Sequence, residues 1–220
     1  MIVPTRPTRV AHVRAALLGA AAFVAGCAPP TREERAAELF QYCTQCHGDR
    51  GEGRIEYGAP AIAGLDAWYV EAQLVKFRTG TRGDHPEDVE GLRMRPMSRA
   101  LASDDEVRLV ASYVASLPPV PSTPTLEGDP ERGRTLYASC VQCHGADARG
   151  NRAVGAPPLV GASDWYLLRQ LRKFRDGVRG TDPMDPTGAQ MRPQAVALGD
   201  EQSMRDVLAY VSTLAREVSP

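Results

Sequence analysis

The pentapeptide Cys-x-x-Cys-His occurs twice, as Cys43-Thr44-Gln45-Cys46-His47 and as Cys140-Val141-Gln142-Cys143-His144. Its three fixed residues have separate tasks on one cofactor. The two thiols can add across the vinyl groups of a haem to form thioethers, and the histidine that follows can place a ring nitrogen on the iron. A fold that uses the residues in this way has to hold each motif against a porphyrin.

The motifs lie 97 residues apart, and the repeat extends well beyond them. Residues 39–117 align with 136–214 without a gap, and about 34 of the 79 pairs are identical, which marks a duplicated unit. Gly58-Ala59-Pro60 pairs with Gly155-Ala156-Pro157, Trp68-Tyr69 with Trp165-Tyr166, and Lys76-Phe77-Arg78 with Lys173-Phe174-Arg175. Arg82-Gly83 pairs with Arg179-Gly180, and Met94-Arg95-Pro96 with Met191-Arg192-Pro193. This period exceeds the ~20–50 residues of a solenoid repeat and suits a small domain of about 100 residues. The chain therefore reads as two tandem domains, 31–117 and 129–220, each built around one haem.

Residues 1–26 read as an export signal. Arg6, Arg9 and Arg14 precede a mostly apolar run at 15–26, too short for a membrane-spanning helix of about 20 residues. The run ends Val24-Ala25-Gly26-Cys27, which resembles a bacterial lipobox. Cys27 would then be the lipidated first residue of the mature chain, with 27–30 as an anchor segment. It is the one cysteine outside the two motifs. Without the signal, 23 basic residues stand against 27 acidic ones, and the excess acid lies in residues 28–119. No basic patch of the kind that binds nucleic acid is evident.

Thr31 and Glu34 have the form of a capping box that opens a helix running into the first motif. Asp129 with Pro130 opens its counterpart. Gly133 and Tyr137 replace Ala36 and Phe40, a small residue four before an aromatic, which suits a close helix crossing. Middle helices are expected at 67–78 and 164–175 with Asp66 and Ser163 as caps. Last helices follow from Val107, Val110, Val114, Leu117 and from Met204, Val207, Val211, Leu214, with Ser103 and Glu106 as a second capping box. Tyr113 and Tyr210 are placed to meet the first helices. Pro118, Pro119, Pro121 and Pro124 give residues 118–128 the character of an extended linker. No alternating strand pattern is evident.

The sixth iron ligand separates a carrier from an enzyme. A thioether there favours ferrous iron and raises the potential. Met94 and Met191 are repeat equivalents, each 47 residues after its own histidine, and are assigned to the first and second iron. Met97 and Met184 are the competitors. Met204 falls on a helical stripe and reads as core. His85, in a polar loop, is a less suitable ligand. Arg78, Arg82, Arg175 and Arg179 can pair with haem propionates, and equally suit solvated helix ends. Gly48-x-x-Gly51-x-Gly53 is no nucleotide fingerprint, because no strand precedes it; its glycines suit a loop that approaches the haem.

Together these motifs resemble a class I cytochrome c, duplicated as in the cytochrome c4 type. The resemblance rests on Cys43-x-x-Cys46-His47-Gly48 and Cys140-x-x-Cys143-His144-Gly145, the loops at Pro60 and Pro157, the Trp-Tyr helices and the distal methionines, and it covers nearly all of residues 31–220. It implies an all-α fold, each domain a few short helices around one covalently bound haem, with the haem pair near the domain interface. It implies an electron carrier between membrane complexes such as a quinol–cytochrome c reductase and a terminal oxidase. No nucleic acid or small-molecule substrate is expected. The lipobox favours shuttling along the periplasmic face of a membrane. Competing readings are a haem enzyme such as a dihaem peroxidase, which needs a releasable sixth position, and a cytochrome subunit of a dehydrogenase or reductase. A zinc site lacks a fourth ligand, and a thioredoxin-like dithiol lacks its βαβ setting.

Overall fold

The computed structural model describes residues 29–217. The signal segment and Cys27 lie outside the described residues. Within them the architecture is helical, with isolated β-bridges only, Arg54 to Ala59 and Asn151 to Ala156.

The first half has four helices: α1 Arg32–His47, α2 Ala67–Thr79, α3 Val89–Arg99 and α4 Asp104–Ser116. The capping box forms as expected. Thr31 Oγ1 accepts from the Glu34 amide and Glu34 Oε2 accepts from the Thr31 amide. Ser103 caps α4, but Glu106 reaches back to the Ala102 amide and also takes Arg35 of α1 at 2.6 Å. Asp66 sits at the N-cap of α2 without accepting a hydrogen bond, and Ser163 does the same before the matching helix; the expected capping bonds are absent there. Leu39, Phe40, Leu74, Val107, Val110 and Val114 form one core. Each such side chain contributes about 1.5–3 kcal/mol by leaving water. Phe40 meets Tyr113 with ring centroids 5.2 Å apart, so α1 and α4 are joined where the sequence placed them.

The second half repeats the plan with one break. Its helices are α5 Pro130–Tyr137, α6 Val141–His144, α7 Asp164–Arg175, α8 Pro186–Leu198 and α9 Glu201–Glu217. Where α1 runs unbroken through its motif, the chain here leaves the helix between Tyr137 and Val141. The Cys140 amide bonds to Tyr137 O, a tighter i→i+3 contact, and the Ser139 hydroxyl takes the Leu136 carbonyl. A serine that competes for a helical carbonyl loosens the turn; the equivalent residue in α1 is Tyr42. Gly133 permits the closest helix crossing, since a Cβ there would lie 1.9 Å from Asp206 O of α9. Tyr137 packs on Tyr210 at 5.5 Å. Met204 is fully buried, as its place on the stripe requires.

The linker is fixed at both ends. Pro119 packs against Gly64, and buried Asp164 accepts from the amides of Thr125 and Leu126 and from the Thr125 hydroxyl.

Candidate haem sites and the seam between them

Each motif histidine is held by the same small device. Gly53, with φ 83°, lets the chain pass so close to residues 59–61 that a Cβ would lie 2.4 Å from the Ala61 amide nitrogen. Its own amide donates to His47 O. This brings the Pro60 carbonyl to 2.8 Å from His47 Nδ1. In the second half Gly150 does the same, and Pro157 O lies 2.9 Å from His144 Nδ1. The glycines thus serve a close approach of backbone to backbone. A carbonyl can only accept, so Nδ1 carries the proton and Nε2 keeps its lone pair free for a metal. Both rings are buried, and burial pushes both pKa values down, which keeps them neutral.

His47, Cys43 and Cys46 open on one cavity, and Met94 lines it too. Most of the remaining lining is apolar, including Leu74, Phe77 and Val110. Burial pushes the Cys43 thiol up to about 11 and that of Cys140 upward as well. A redox dithiol needs the opposite shift. Among the described residues no group of three His, Cys, Asp or Glu side chains is arranged to hold a metal ion. In the second half His144 is buried, and half-buried Cys140 and Met191 pack against its two apolar clusters. Pro157, which holds His144, also lines the first cavity, so the two sites share a wall.

That wall belongs to a seam of near two-fold symmetry. Tyr69, Gln73 and Lys76 on α2 recur at intervals of four and three, on one helix face, and Tyr166, Gln170 and Lys173 on α7 are their equivalents. Arg82 donates to Gln73 and across the seam to Gln170 and the Tyr166 hydroxyl. Arg179 donates to Gln170 and across to Gln73. Each guanidinium lies over the phenylalanine of its own half, Phe77 or Phe174, at 4.5 Å. Neither has a carboxylate partner among the described residues, and the buried Nε of each has no hydrogen-bond partner. Arg82 is buried and Arg179 half-buried, and cations so placed without a directly paired anion are costly unless something anionic joins them.

The residues fit a haem. Paired thiols, a neutral imidazole with a free nitrogen, a thioether on the same cavity and an apolar lining suit such a group. The orphaned Nε of Arg82, on the same cavity, matches a propionate.

Other sequence candidates fall elsewhere. Arg78 pairs with Asp104 and Arg175 with Asp176, so only Arg82 and Arg179 of the four arginines reach the seam. His85 Nδ1 accepts from the Glu87 amide in its loop. Met184 is 78% exposed; Met97 is 39% exposed and stands at the first cavity. Trp68 packs edge-on against Tyr69, and Trp165 against Tyr166 with Arg169 over its face. Residues that sequence reasoning passed over are Gln73, Gln170, Asp88 and Asp185. All four are identical across the repeat, and that identity at polar positions was the available signal.

The sequence model of the cytochrome c family matches the chain twice, at residues 33–118 and 130–215. A thiosulfate dehydrogenase electron acceptor of Stutzerimonas stutzeri is 34% identical over 185 residues, covering 77% of this chain and 78% of its own. The structure of cytochrome c4 from Acidithiobacillus ferrooxidans superposes with a TM-score of 0.64 at 26% identity, over 79% of this chain and 99% of that one. A thiosulfate dehydrogenase of Marichromatium purpuratum superposes with a TM-score of 0.63 at 31% identity, over 82% of this chain but only 40% of that longer one.

Proposed function

The chain belongs to the cytochrome c family, as a cytochrome c4-like electron carrier with two covalently bound haem c groups that works with redox protein partners, and we propose the following roles for its residues. Cys43 and Cys46 bind one haem and Cys140 and Cys143 the other. His47 and Met94 would hold the iron of the first haem, and His144 and Met191 that of the second. The observation that carries this is Met94 on the same cavity as His47, with Met191 its equivalent in the repeat.

The haem iron supplies the one-electron couple. The chain does the rest. Pro60 and Pro157 fix the imidazole tautomer. The methionines close the sixth position to water and peroxide and favour the ferrous state. Arg82 and Arg179 would pair with propionates through their unpartnered Nε atoms, and the shared wall keeps the two sites adjacent for transfer between them. We place the domains at 31–117 and 129–220 with 118–128 between, and read 1–26 as an export signal that leaves Cys27 lipidated on the periplasmic face of a membrane. No helix among the described residues is long and apolar enough to cross a membrane.

The partners that suit such a carrier are a quinol–cytochrome c reductase and a terminal oxidase. A second reading, acceptor for a dehydrogenase such as one acting on thiosulfate, is favoured by the Stutzerimonas relative and by the Marichromatium chain. Potentiometric titration of the mature protein with optical spectra tests the assignment. Two haems, sulfur-to-iron charge transfer from both ferric irons and no response to peroxide are expected; a colourless protein or an open iron would overturn it. Stopped-flow reduction by each candidate donor separates the two readings.

A further inference from the structure

The seam does more than join the two halves: it reaches the caps of the helices that carry the two methionines. Asp88 is the N-cap of α3 and accepts from the Gly91 amide at 2.9 Å. The same oxygen takes Lys173 Nζ, from the other half, at 2.5 Å, and Lys173 also reaches Glu90 in the first turn of α3 at 2.6 Å. Reciprocally, Asp185 caps α8 through the Gly188 amide at 2.8 Å and takes Lys76 Nζ at 2.6 Å. Both aspartates are buried, at 2% and 0% exposure. Burial alone would push the Asp185 carboxyl up, but Lys76 and the Gly188 amide hold it below the usual carboxylate range.

The capped turns are rigidly seated. A Cβ on Gly91 would lie 2.5 Å from Gly83 Cα, and one on Gly188 would lie 3.0 Å from Gly180 Cα. The loop carrying each seam arginine is therefore wedged against the first turn of the methionine helix. Met94 stands two residues into the second turn after Gly91, as Met191 does after Gly188.

We propose that Lys173 and Lys76 are crossed positioning residues: each, from its own half, fixes the helix that presents the methionine to the iron of the opposite half. This rests on Met94 and Met191 being the axial ligands. Removing Lys173 frees the start of α3 and loosens Met94. Removing Lys76 frees α8 and loosens Met191. The halves differ in reserve, because Arg169 still holds Glu90 at 2.8 Å when Lys173 is lost, whereas without Lys76 Asp185 keeps no cation: its Oδ1 retains the Gly188 amide and the Thr187 hydroxyl, and its Oδ2 has no partner. Lys76 is thus the more sensitive of the two.

The test uses the full-length holoprotein and the ring-current-shifted methyl resonances of the two axial methionines in the reduced state, assigned with Met191→Ala, alongside the potential of each haem. Lys76→Gln should shift or abolish the Met191 signal and lower the second potential, leaving Met94 in place. Lys173→Gln should disturb Met94 alone and to a smaller extent. Lys76→Arg and Lys173→Arg should restore each signal. If Lys76→Gln fails to fold, the pair Lys76→Gln with Asp185→Asn removes both charges and keeps a capping side chain, and the crossed pattern is read there. Wild-type protein without two shifted methyls overturns the ligand assignment and the latch with it. Two shifted methyls that ignore both lysines, or that answer to the lysine of their own half, overturn the latch alone.

Discussion

Across the seam Tyr69, Gln73, Lys76, Arg82 and Asp88 stand opposite Tyr166, Gln170, Lys173, Arg179 and Asp185, and every pair is identical. At the outer surface of the first site, exposed Tyr42, Ile55, Tyr57 and Met97 have Ser139, Arg152, Val154 and Gln194 as counterparts. A unit that docks on its own duplicate forms an isologous contact, in which each residue meets the partner of the one it pairs with. A change in one half then loses its partner across the seam, while the symmetry-related contact stands. The outer faces meet different surroundings and carry no such restraint. The seam therefore holds what the halves need in common, and the surface holds what separates them.

The largest effect that probes this symmetry is loss of one cofactor. Replacing Cys43 and Cys46 by alanine should lower the mass by one haem and halve the haem absorbance, and so should replacing Cys140 and Cys143. If the seam arginines share the two sets of propionates, each variant also leaves a buried cation unpaired and loses about 3–5 kcal/mol of stability. A melt unchanged in either variant would break the symmetry argument. Next in size is the axial methionine. Met191→Ala should remove the second iron's charge-transfer band completely, since Gln194 follows one turn on. Met94→Ala should show partial recovery through Met97, which occupies that place at the first cavity. Adding Met97→Ala should erase the difference between the halves.

A third comparison concerns helix crossings. Gly133→Ala drives a methyl into the Asp206 carbonyl of α9 and should cost about 1–3 kcal/mol. At the equivalent position Ala36→Gly should cost about 1 kcal/mol from helix propensity, with the lost methyl adding to it. Thermal melts should fall by about 2–4 °C for each kcal/mol in a chain of this length.

The terminal helices were readable because their signals are local. Thr31 with Glu34, Asp129 with Pro130, and the Val107 and Met204 stripes each state a helix within a few residues. Helices α3 and α8 were not anticipated. Pro96 and Pro193 lie inside them, and proline removes a helical hydrogen bond and reads as a terminator. Their caps, Asp88 and Asp185, precede glycine three residues on instead of an apolar run. The four proposed haem positions in each half came from motif and repeat. The seam did not, because identity between two copies does not say that the identical faces touch. Polar identity at Gln73 and Lys76 acquires meaning only when Gln170 and Lys173 are found across from them.

The smallest predicted effect targets a charged asymmetry inside the seam. Glu90 precedes Met94 by one turn and balances two cations, Lys173 and Arg169. The equivalents in the other latch are Thr187, which precedes Met191 by one turn and accepts from Lys76 at 2.6 Å, and Ala72 in place of Arg169. Thr187→Glu would set two carboxylates, its own and Asp185, against Lys76 alone. The uncompensated negative charge favours ferric iron, so the second potential should fall. A partly screened charge interaction of about 0.5 kcal/mol corresponds to about 20 mV for a one-electron couple. Adding Ala72→Arg rebuilds the balance found at α3 and should return most of that shift, while Ala72→Arg alone should raise the potential slightly. The first haem, whose latch is untouched, serves as the internal reference. A Thr187→Glu variant whose second potential rises, or one that Ala72→Arg leaves unrepaired, would mean that the difference between the two latches is inert and that the haems are distinguished by their outer surfaces instead.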